Sequence, residues 1–160
     1  MLSSKFFPLE SLKPVILDER KNGKTIVLAN GCFDLIHVGH IRYLQGAKKM
    51  GDVLVVALNS DDSLKRIKGR QEALVDQNGR ITFISALECV DYVTLFDETR
   101  ADGVILALKP DVHCKGSDYT LQTVPEREVV RGYGGKIAIV GGAKVQSTSL
   151  LIRRIRESFV

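Results

Sequence analysis

The stretch from Asn30 to His40 holds the residues best suited to chemistry. Two of the chain's three histidines, His37 and His40, stand three residues apart in it, close to Gly31 and Gly39. Side chains three apart share one face of a helix, so both imidazoles can contact one phosphate chain. Imidazole N–H groups can donate hydrogen bonds to phosphoryl oxygens as charge develops on them. The spacing therefore favours a phosphate-binding site gripped by both histidines.

Other interpretations of these histidines stay open at this point. A single histidine is most often structural, but a pair in one glycine-containing loop is harder to explain in that way. His37, His40 and Asp34 could also form a metal site, although no fourth ligand lies nearby in the sequence. A triphosphate would raise the pKa of an imidazole and a helix N-terminus would lower it, so the protonation state is open.

The elements that must position this stretch are strands alternating with helices. Continuous apolar runs predict strands over 25–29, 53–58, 92–96, 111–114 and 136–140. Helices are predicted over 39–50, 61–67, 76–89, 100–108, 124–132 and 148–158. This alternation is typical of βαβ units, and it predicts an α/β fold with a doubly wound, mainly parallel five-stranded sheet and helices on both faces.

The same pattern predicts the domain organisation and the place of the site. Residues 1–24 look like an irregular lead-in with a short helix near 9–17, and 25–160 form one domain. Ligands of such folds bind beyond the carboxyl ends of the strands. The loops to inspect are therefore 30–40, 59–70, 96–100, 115–124 and 141–148.

Composition excludes several classes of protein. The 160 residues carry 44% hydrophobic and 26% charged side chains, which is typical of a globular domain. No apolar run approaches the roughly 18 residues of a membrane helix, and no secretory signal pattern is found, so we expect no membrane partner. The three cysteines lack CxxC spacing, which indicates reduced thiols and a cytoplasmic protein. A net charge of +4 suits anionic ligands.

The pattern Gly31-x-Phe33-Asp34-x-x-His37-x-Gly39-His40 resembles the HxGH signature of the nucleotidyltransferase superfamily. Its members transfer a nucleoside monophosphate from a triphosphate to a phosphate acceptor and release pyrophosphate. The resemblance runs from about residue 24 to the end of the chain and implies a Rossmann-like fold. It is strongest to the adenylyltransferases of ADP-heptose synthesis. Four motifs carry it: Asn30 to Asp34, Asn59-Ser60-Asp61, Lys65 to Gly69 and Lys115-Gly116-x-Asp118-Tyr119.

The resemblance implies roles for further residues. With His37 and His40, Lys68 would be catalytic. The nucleotide-binding residues would be Asn30, Gly31, Cys32, Phe33, Asp34, Gly39, Arg80, Lys115, Gly116, Asp118, Ser147 and Thr148. Mg²⁺ would arrive on the nucleotide triphosphate, with no protein side chain as metal ligand. Simpler roles exist for several of these residues: Arg80 pairs with Asp76, Asp34 fixes its own loop, and Ser147 and Thr148 cap the last helix.

The resemblance also implies substrates and partners. The favoured reaction joins AMP from ATP to heptose 1-phosphate, with a separate sugar kinase upstream and a homodimer as the assembly. The heptose enzymes tend to carry Arg-Pro where this chain has Glu72-Ala73, so a cytidylyltransferase making CDP-glycerol or a related CDP-alcohol is the alternative. A non-catalytic module that binds nucleotides or nucleic acid would explain the positive charge but not the histidine pair. With only 6% aromatic residues for base stacking, we expect no nucleic-acid partner.

Overall fold

Five parallel strands form one sheet in the computed structural model, which describes residues 3–143 and 147–158. The strands are β1 (Ile26–Gly31), β2 (Val53–Asn59), β3 (Tyr92–Phe96), β4 (Val112–Gly116) and β5 (Lys136–Val140). Their order across the sheet is β3-β2-β1-β4-β5. The predicted doubly wound sheet is confirmed, and its direction of winding reverses between β1 and β4.

Helices precede, connect and follow these strands. They are α1 (Leu9–Lys21), α2 (Val38–Lys48), α3 (Asp61–Lys68), α4 (Gln77–Ser85), α5 (Asp102–Leu108), α6 (Arg127–Gly132) and α7 (Thr148–Ser158). The largest difference from the sequence prediction is at α4, which ends at Ser85 and not at residue 89. There the backbone tightens into three-residue turns, because Leu87 N–H bonds to Ile84 C=O and Val90 N–H bonds to Leu87 C=O.

The helices cover both faces of the sheet because side chains alternate along each strand. Val27 and Leu28 are neighbours in β1, yet they belong to different cores. The core containing Val27 lies under α2 and α4, and the core containing Leu28 lies under α1, α5 and α6. Each fully buried Val or Leu stabilises the fold by about 1.5–3 kcal/mol. The two cores together hold the carboxyl ends of the strands in register.

The N-terminal segment is more ordered than its sequence indicates. Helix α1 runs on to Lys21, and its Leu12 and Ile16 are fully buried. Ahead of it, Phe6 forms a parallel bridge to Val93 of β3. The short helix predicted near 9–17 is therefore confirmed, but it ends later, at Lys21. The i, i+4 spacing of Leu12 and Ile16 gives α1 a buried stripe.

The division of the chain into a 1–24 segment and a 25–160 domain stays a prediction. Residues 1–2, 144–146 and 159–160 lie outside the described residues, and they include part of the predicted 141–148 loop. Among the helices of the described chain, none has the length and apolar character needed to cross a membrane.

Candidate active site

A cavity of about 430 Å³ opens at the carboxyl ends of β1 and β4. This is the switch point of strand order, where ligands of doubly wound sheets bind. Asn30 and Gly31 of β1 and Lys115 and Gly116 of β4 form part of its wall. A Cβ atom added at Gly116 would meet nothing within 4 Å, so the space in front of this backbone is open to a ligand. The volume suits a small molecule of nucleotide size.

The two histidines meet at the start of α2. His37 is the N-cap residue, and its Nδ1 accepts a hydrogen bond from Gly39 N–H at 3.1 Å. Because Nδ1 is an acceptor, the neutral His37 ring carries its proton on Nε2. The His37 and His40 rings stack with centroids 3.8 Å apart at an interplanar angle of 23°. The predicted pair therefore forms, with one member at the cap and the other in the first turn.

His40 is neutral at ordinary pH. Burial, with smaller contributions from His37 and Lys68, lowers the pKa of His40 from 6.5 to about 4. A neutral imidazole still offers one N–H donor. The ring also contacts Phe33, with centroids 5.0 Å apart. Phe33 has a φ of 48°, an uncommon backbone conformation for a bulky residue, and this turn brings its ring against His40.

The N-terminus of α7 faces the same cavity. Ser147 Oγ accepts from Leu150 N–H at 3.2 Å, so the capping interpretation of this residue is confirmed. Thr148 Oγ1 donates to Leu35 C=O at 3.4 Å and ties α7 to the loop before α2. Two helix N-termini, each with a partial positive charge, therefore converge on one space.

Asp34 fixes the loop that follows α3. Its Oδ1 accepts from Leu74 N–H at 2.7 Å and Val75 N–H at 3.3 Å, and its Oδ2 pairs with Arg70. The side chain is only 2% exposed. The predicted backbone hydrogen bonds are found, but they fix the loop after α3 and not the loop that contains Asp34. At the start of this loop, Lys68 ends α3 and reaches the cavity wall.

Arg80 has partners other than those predicted. Its guanidinium is fully buried and donates to Cys32 C=O and Asn59 C=O, each at 2.7 Å, while Nη2 pairs with Asp61 at 2.7 Å. The pairing with Asp76 is wrong. Arg80 is also absent from the described cavity wall, since its donors are used by the carbonyls that end β1 and β2. In the structure it joins α4 to the ends of β1 and β2, and its predicted contact with a phosphate stays a prediction.

Every other predicted site residue lines the cavity. These are Asn30, Gly31, Cys32, Phe33, Asp34, His37, Gly39, His40, Lys68, Lys115, Gly116, Asp118, Ser147 and Thr148. Their individual roles toward a nucleotide stay predictions. Further residues that the sequence analysis did not select also line the cavity; these include Tyr43, Asn59, Arg100, Tyr119 and Glu126. Asn59 and Tyr119 stand in motifs that resemble the heptose enzymes, whereas nothing in the sequence pattern points to Glu126.

Glu126 belongs to a buried polar cluster at the cavity wall. Its Oε2 lies 3.3 Å from Lys115 Nζ and 3.7 Å from His113 Nε2. Lys115 Nζ also donates to Asn30 Oδ1 at 3.0 Å. Burial raises the pKa of Glu126, but its interactions with His113 and with the Lys115 charge outweigh this effect and bring the pKa to about 2. The carboxylate is therefore ionised across the physiological range.

Comparison with known proteins agrees with this geometry. The model of the cytidylyltransferase-like family matches residues 28–153, which include the histidine pair and the start of α7. The chain belongs to the cytidylyltransferase-like family. The cavity between β1 and β4 is thus the candidate active site of a nucleotidyltransferase.

Two curated relatives are considerably longer than this chain. The bifunctional protein HldE of Syntrophotalea carbinolica is 45% identical over 150 residues, covering 94% of this chain but 31% of that protein. The HldE protein of Geobacter sulfurreducens gives the same identity over 151 residues and the same coverage. The chain therefore spans about a third of the length of these curated relatives.

Solved structures extend the likeness to the fold. The lipopolysaccharide core biosynthesis protein from Thermoplasma volcanium is 33% identical with a TM-score of 0.65, covering 78% of this chain and all of that one. The pantoate-beta-alanine ligase from Francisella tularensis has a TM-score of 0.63 at 14% identity, covering 86% of this chain and 66% of its own, and shows the fold alone.

Proposed function

We propose that this cytidylyltransferase-like chain transfers AMP from ATP to heptose 1-phosphate, giving ADP-heptose and pyrophosphate. The observation that carries the proposal is the stacked pair of His37 and His40 at the N-terminus of α2, opposite the N-terminus of α7. Such an arrangement suits a triphosphate, because N–H donors and positive helix ends surround one space.

In the proposed reaction an oxygen of the sugar phosphate attacks the α-phosphorus of ATP in line. The new O–P bond forms as the bond to the bridging oxygen of the β-phosphate breaks, and pyrophosphate leaves with that oxygen. No covalent enzyme intermediate is needed. Because a phosphate monoester is already an anion at neutral pH, no strong general base is needed. The protein contributes positioning and charge stabilisation.

The histidines act as hydrogen-bond donors in this reaction. His37 presents Nε2–H, since its Nδ1 is occupied by Gly39 N–H. His40 is uncharged in the free protein, and a bound triphosphate would favour its protonation, because a nearby anion stabilises the charged form. Charge that develops on the phosphoryl oxygens would therefore strengthen both interactions as the reaction proceeds.

The cationic side chains complete the proposed site. Lys68 at the end of α3 and Lys115 at the end of β4 approach the cavity from different walls. In this proposal Lys68 neutralises the phosphates and Lys115 contacts the nucleotide. The oxygens of Asp34 are already occupied by loop amides and Arg70, so Asp34 shapes the site through these contacts and not by binding a ligand.

Mg²⁺ is proposed to enter on the triphosphate and to neutralise part of its charge. Over residues 3–143 and 147–158, no group of three or more His, Cys, Asp or Glu side chains could hold a metal ion. Mg²⁺ is commonly held in phosphate sites by phosphate oxygens and water with few protein ligands.

The heptose acceptor, the cellular compartment and the partners are also part of the proposal. The motifs from Asn30 to Asp34 and from Lys115 to Tyr119 resemble the adenylyltransferases of ADP-heptose synthesis, and the likeness to the Thermoplasma lipopolysaccharide core biosynthesis protein supports that acceptor. A separate sugar kinase would supply the sugar phosphate, and the enzyme would act as a homodimer. The three free cysteines are consistent with the cytoplasm.

The test is pyrophosphate release in the presence of Mg²⁺. ATP, CTP and GTP are each combined with heptose 1-phosphate, glycerol 3-phosphate or phosphoethanolamine, and the His40→Ala protein serves as control. We expect turnover with ATP and heptose 1-phosphate, and a loss in the control of about 10²–10³-fold in kcat.

The other outcomes separate the alternatives. Turnover with CTP and glycerol 3-phosphate would replace the proposal by a CDP-alcohol synthase with the same mechanism. Nucleotide binding by calorimetry, without turnover of any pair, would favour a non-catalytic binding module. A salt-dependent shift of a nucleic-acid probe would make that module a nucleic-acid-binding one.

A further inference from the structure

A carboxylate in the wall of a phosphate-binding cavity needs an explanation, because it repels the phosphates that the cavity is proposed to bind. Glu126 lies immediately before α6, lines the cavity and has a side chain that is 3% exposed. Its Oε1 is 3.5 Å from Lys115 Nζ, and its Oε2 lacks a hydrogen-bond partner. A buried charge of this kind persists only when a nearby opposite charge compensates it.

Lys115 is a buried cation and therefore also needs an opposite charge nearby. Its side chain is 8% exposed, and an ammonium in such a place loses most of its hydration. Asn30 Oδ1, on the neighbouring strand, accepts one of its protons. The Tyr119 ring lies 5.0 Å from Nζ. Glu126 supplies the one opposite charge within ion-pair distance of this ammonium in the described chain.

We propose that Glu126 is a positioning residue that keeps the Lys115 ammonium charged and aimed at the bound nucleotide. The inference rests on the proposed function, since it takes Lys115 as a nucleotide contact. His113, fully buried in β4, lies 3.7 Å from the carboxylate oxygen Oε2. Lys115 is held from three elements in this way: β1 through Asn30, β4 through its own backbone, and the turn before α6 through Glu126.

The electrostatics of Lys115 give the proposal a distinctive signature. Burial lowers the pKa of Lys115, and the Glu126 carboxylate raises it again; Arg100 lowers it further and Asp102 raises it. Glu126→Gln keeps the shape of the side chain and removes its charge. The pKa of Lys115 then falls further, so the neutral amine appears at a lower pH. Activity should therefore decline with rising pH earlier in the variant than in the unmodified protein.

The experiment compares pH profiles of kcat/KM for ATP. For each pKa unit lost by Lys115, we expect the Glu126→Gln protein to fall to about a tenth of the unmodified activity once the pH exceeds both pKa values. Near neutral pH the two proteins should differ less. Glu128→Gln is the matched control, because Glu128 is 73% exposed and its partners Arg127 and Arg131 lie outside the cavity wall. It should leave the profile unchanged.

Two further variants keep the outcome decisive. In a Lys115→Met protein, adding Glu126→Gln should produce no additional pH dependence, because the titrating group is gone. An equal loss of activity at every pH in Glu126→Gln, or a profile that matches the unmodified protein, would overturn the inference.

A calorimetric measurement separates this inference from the proposed function. If the unmodified protein binds Mg²⁺–ATP but releases no pyrophosphate, the proposed reaction fails. The affinity of Glu126→Gln for Mg²⁺–ATP at about pH 6.5 and about pH 9 then still tests the role of Glu126. Unchanged affinity at both pH values would reject it.

Discussion

At the scale of single residues, His37 performs two tasks that can be separated. It caps α2 through Nδ1 and presents Nε2–H to the cavity. His37→Ala should lose both, lowering the free energy of unfolding by about 1 kcal/mol and kcat/KM by about 10²–10³-fold. His37→Asn should regain the cap through its amide oxygen but not the activity, because the shorter side chain does not reach the Nε2 position. Urea unfolding and pyrophosphate release measure the two effects, and recovery of activity in the Asn variant would contradict the assignment.

The protonation of His40 links stability to pH. In the unfolded chain this histidine takes up a proton near pH 6.5, whereas in the folded chain it does so near pH 4. The folded state therefore loses stability as the pH falls from 6.5 towards 4, and it keeps this contribution in full above 6.5. Melting temperatures recorded across this range should decline less steeply for His40→Asn than for the unmodified protein. Parallel curves would show that the ring is not held neutral.

The titration of Glu126 and His113 does not affect the comparison between the unmodified protein and His40→Asn. The pKa of Glu126 is about 2, so its stabilising contribution is lost only as the pH falls below its ordinary value of 4.5. Burial lowers the pKa of His113 as well, and its effect has the same sign as that of His40. Both groups are present in the two proteins compared, so the difference between the curves reports His40.

At the scale of elements, Arg80 fastens α4 to the carboxyl ends of two strands. Its donors reach Cys32 C=O beyond β1, Asn59 C=O in β2 and the Asp61 carboxylate in α3. Arg80→Met should lower the free energy of unfolding by about 3–5 kcal/mol, because the carbonyls of Cys32 and Asn59 lose their donor at a cost of about 1–3 kcal/mol each. Lys65→Met removes a cation from an exposed ion pair with Asp62 and should cost less. Chemical denaturation measures both. A stable Arg80→Met protein with only a raised KM for ATP would restore the predicted phosphate contact.

The contacts of α4 show which parts of the structure could be predicted from the sequence. The apolar runs of the strands and the helix-to-strand alternation are local patterns, and they suffice for the sheet and the position of the cavity. The partners of Arg80 are far apart along the chain and become neighbours only when β1, β2 and α4 pack. The role of Glu126 likewise depends on its contact with Lys115, which lies on a different element. Motif spacing identified the loops of the site, but it contains no information on which cations fold inward.

At the scale of the whole molecule, α1 is part of the core and not an appendage. Leu12→Ala should lower the free energy of unfolding by about 2–5 kcal/mol, because a fully buried leucine leaves a cavity behind. Leu17, on the same helix, is 52% exposed. Leu17→Ala should change stability by less than about 0.5 kcal/mol. Equal effects of the two substitutions, measured by urea unfolding, would show that α1 does not belong to the core.

The short pairing between Phe6 and Val93 has a consequence for how copies of the chain behave at high concentration. Phe7 N–H donates to Val93 C=O at 2.9 Å, and Val93 N–H donates to Lys5 C=O at 2.8 Å. Those outward amide and carbonyl groups of β3 would otherwise be a template for a strand of another molecule. The segment ahead of α1 thus covers this edge of the sheet and prevents it from pairing with another molecule. Loss of the segment would promote aggregation through β3 without removing any residue that lines the cavity.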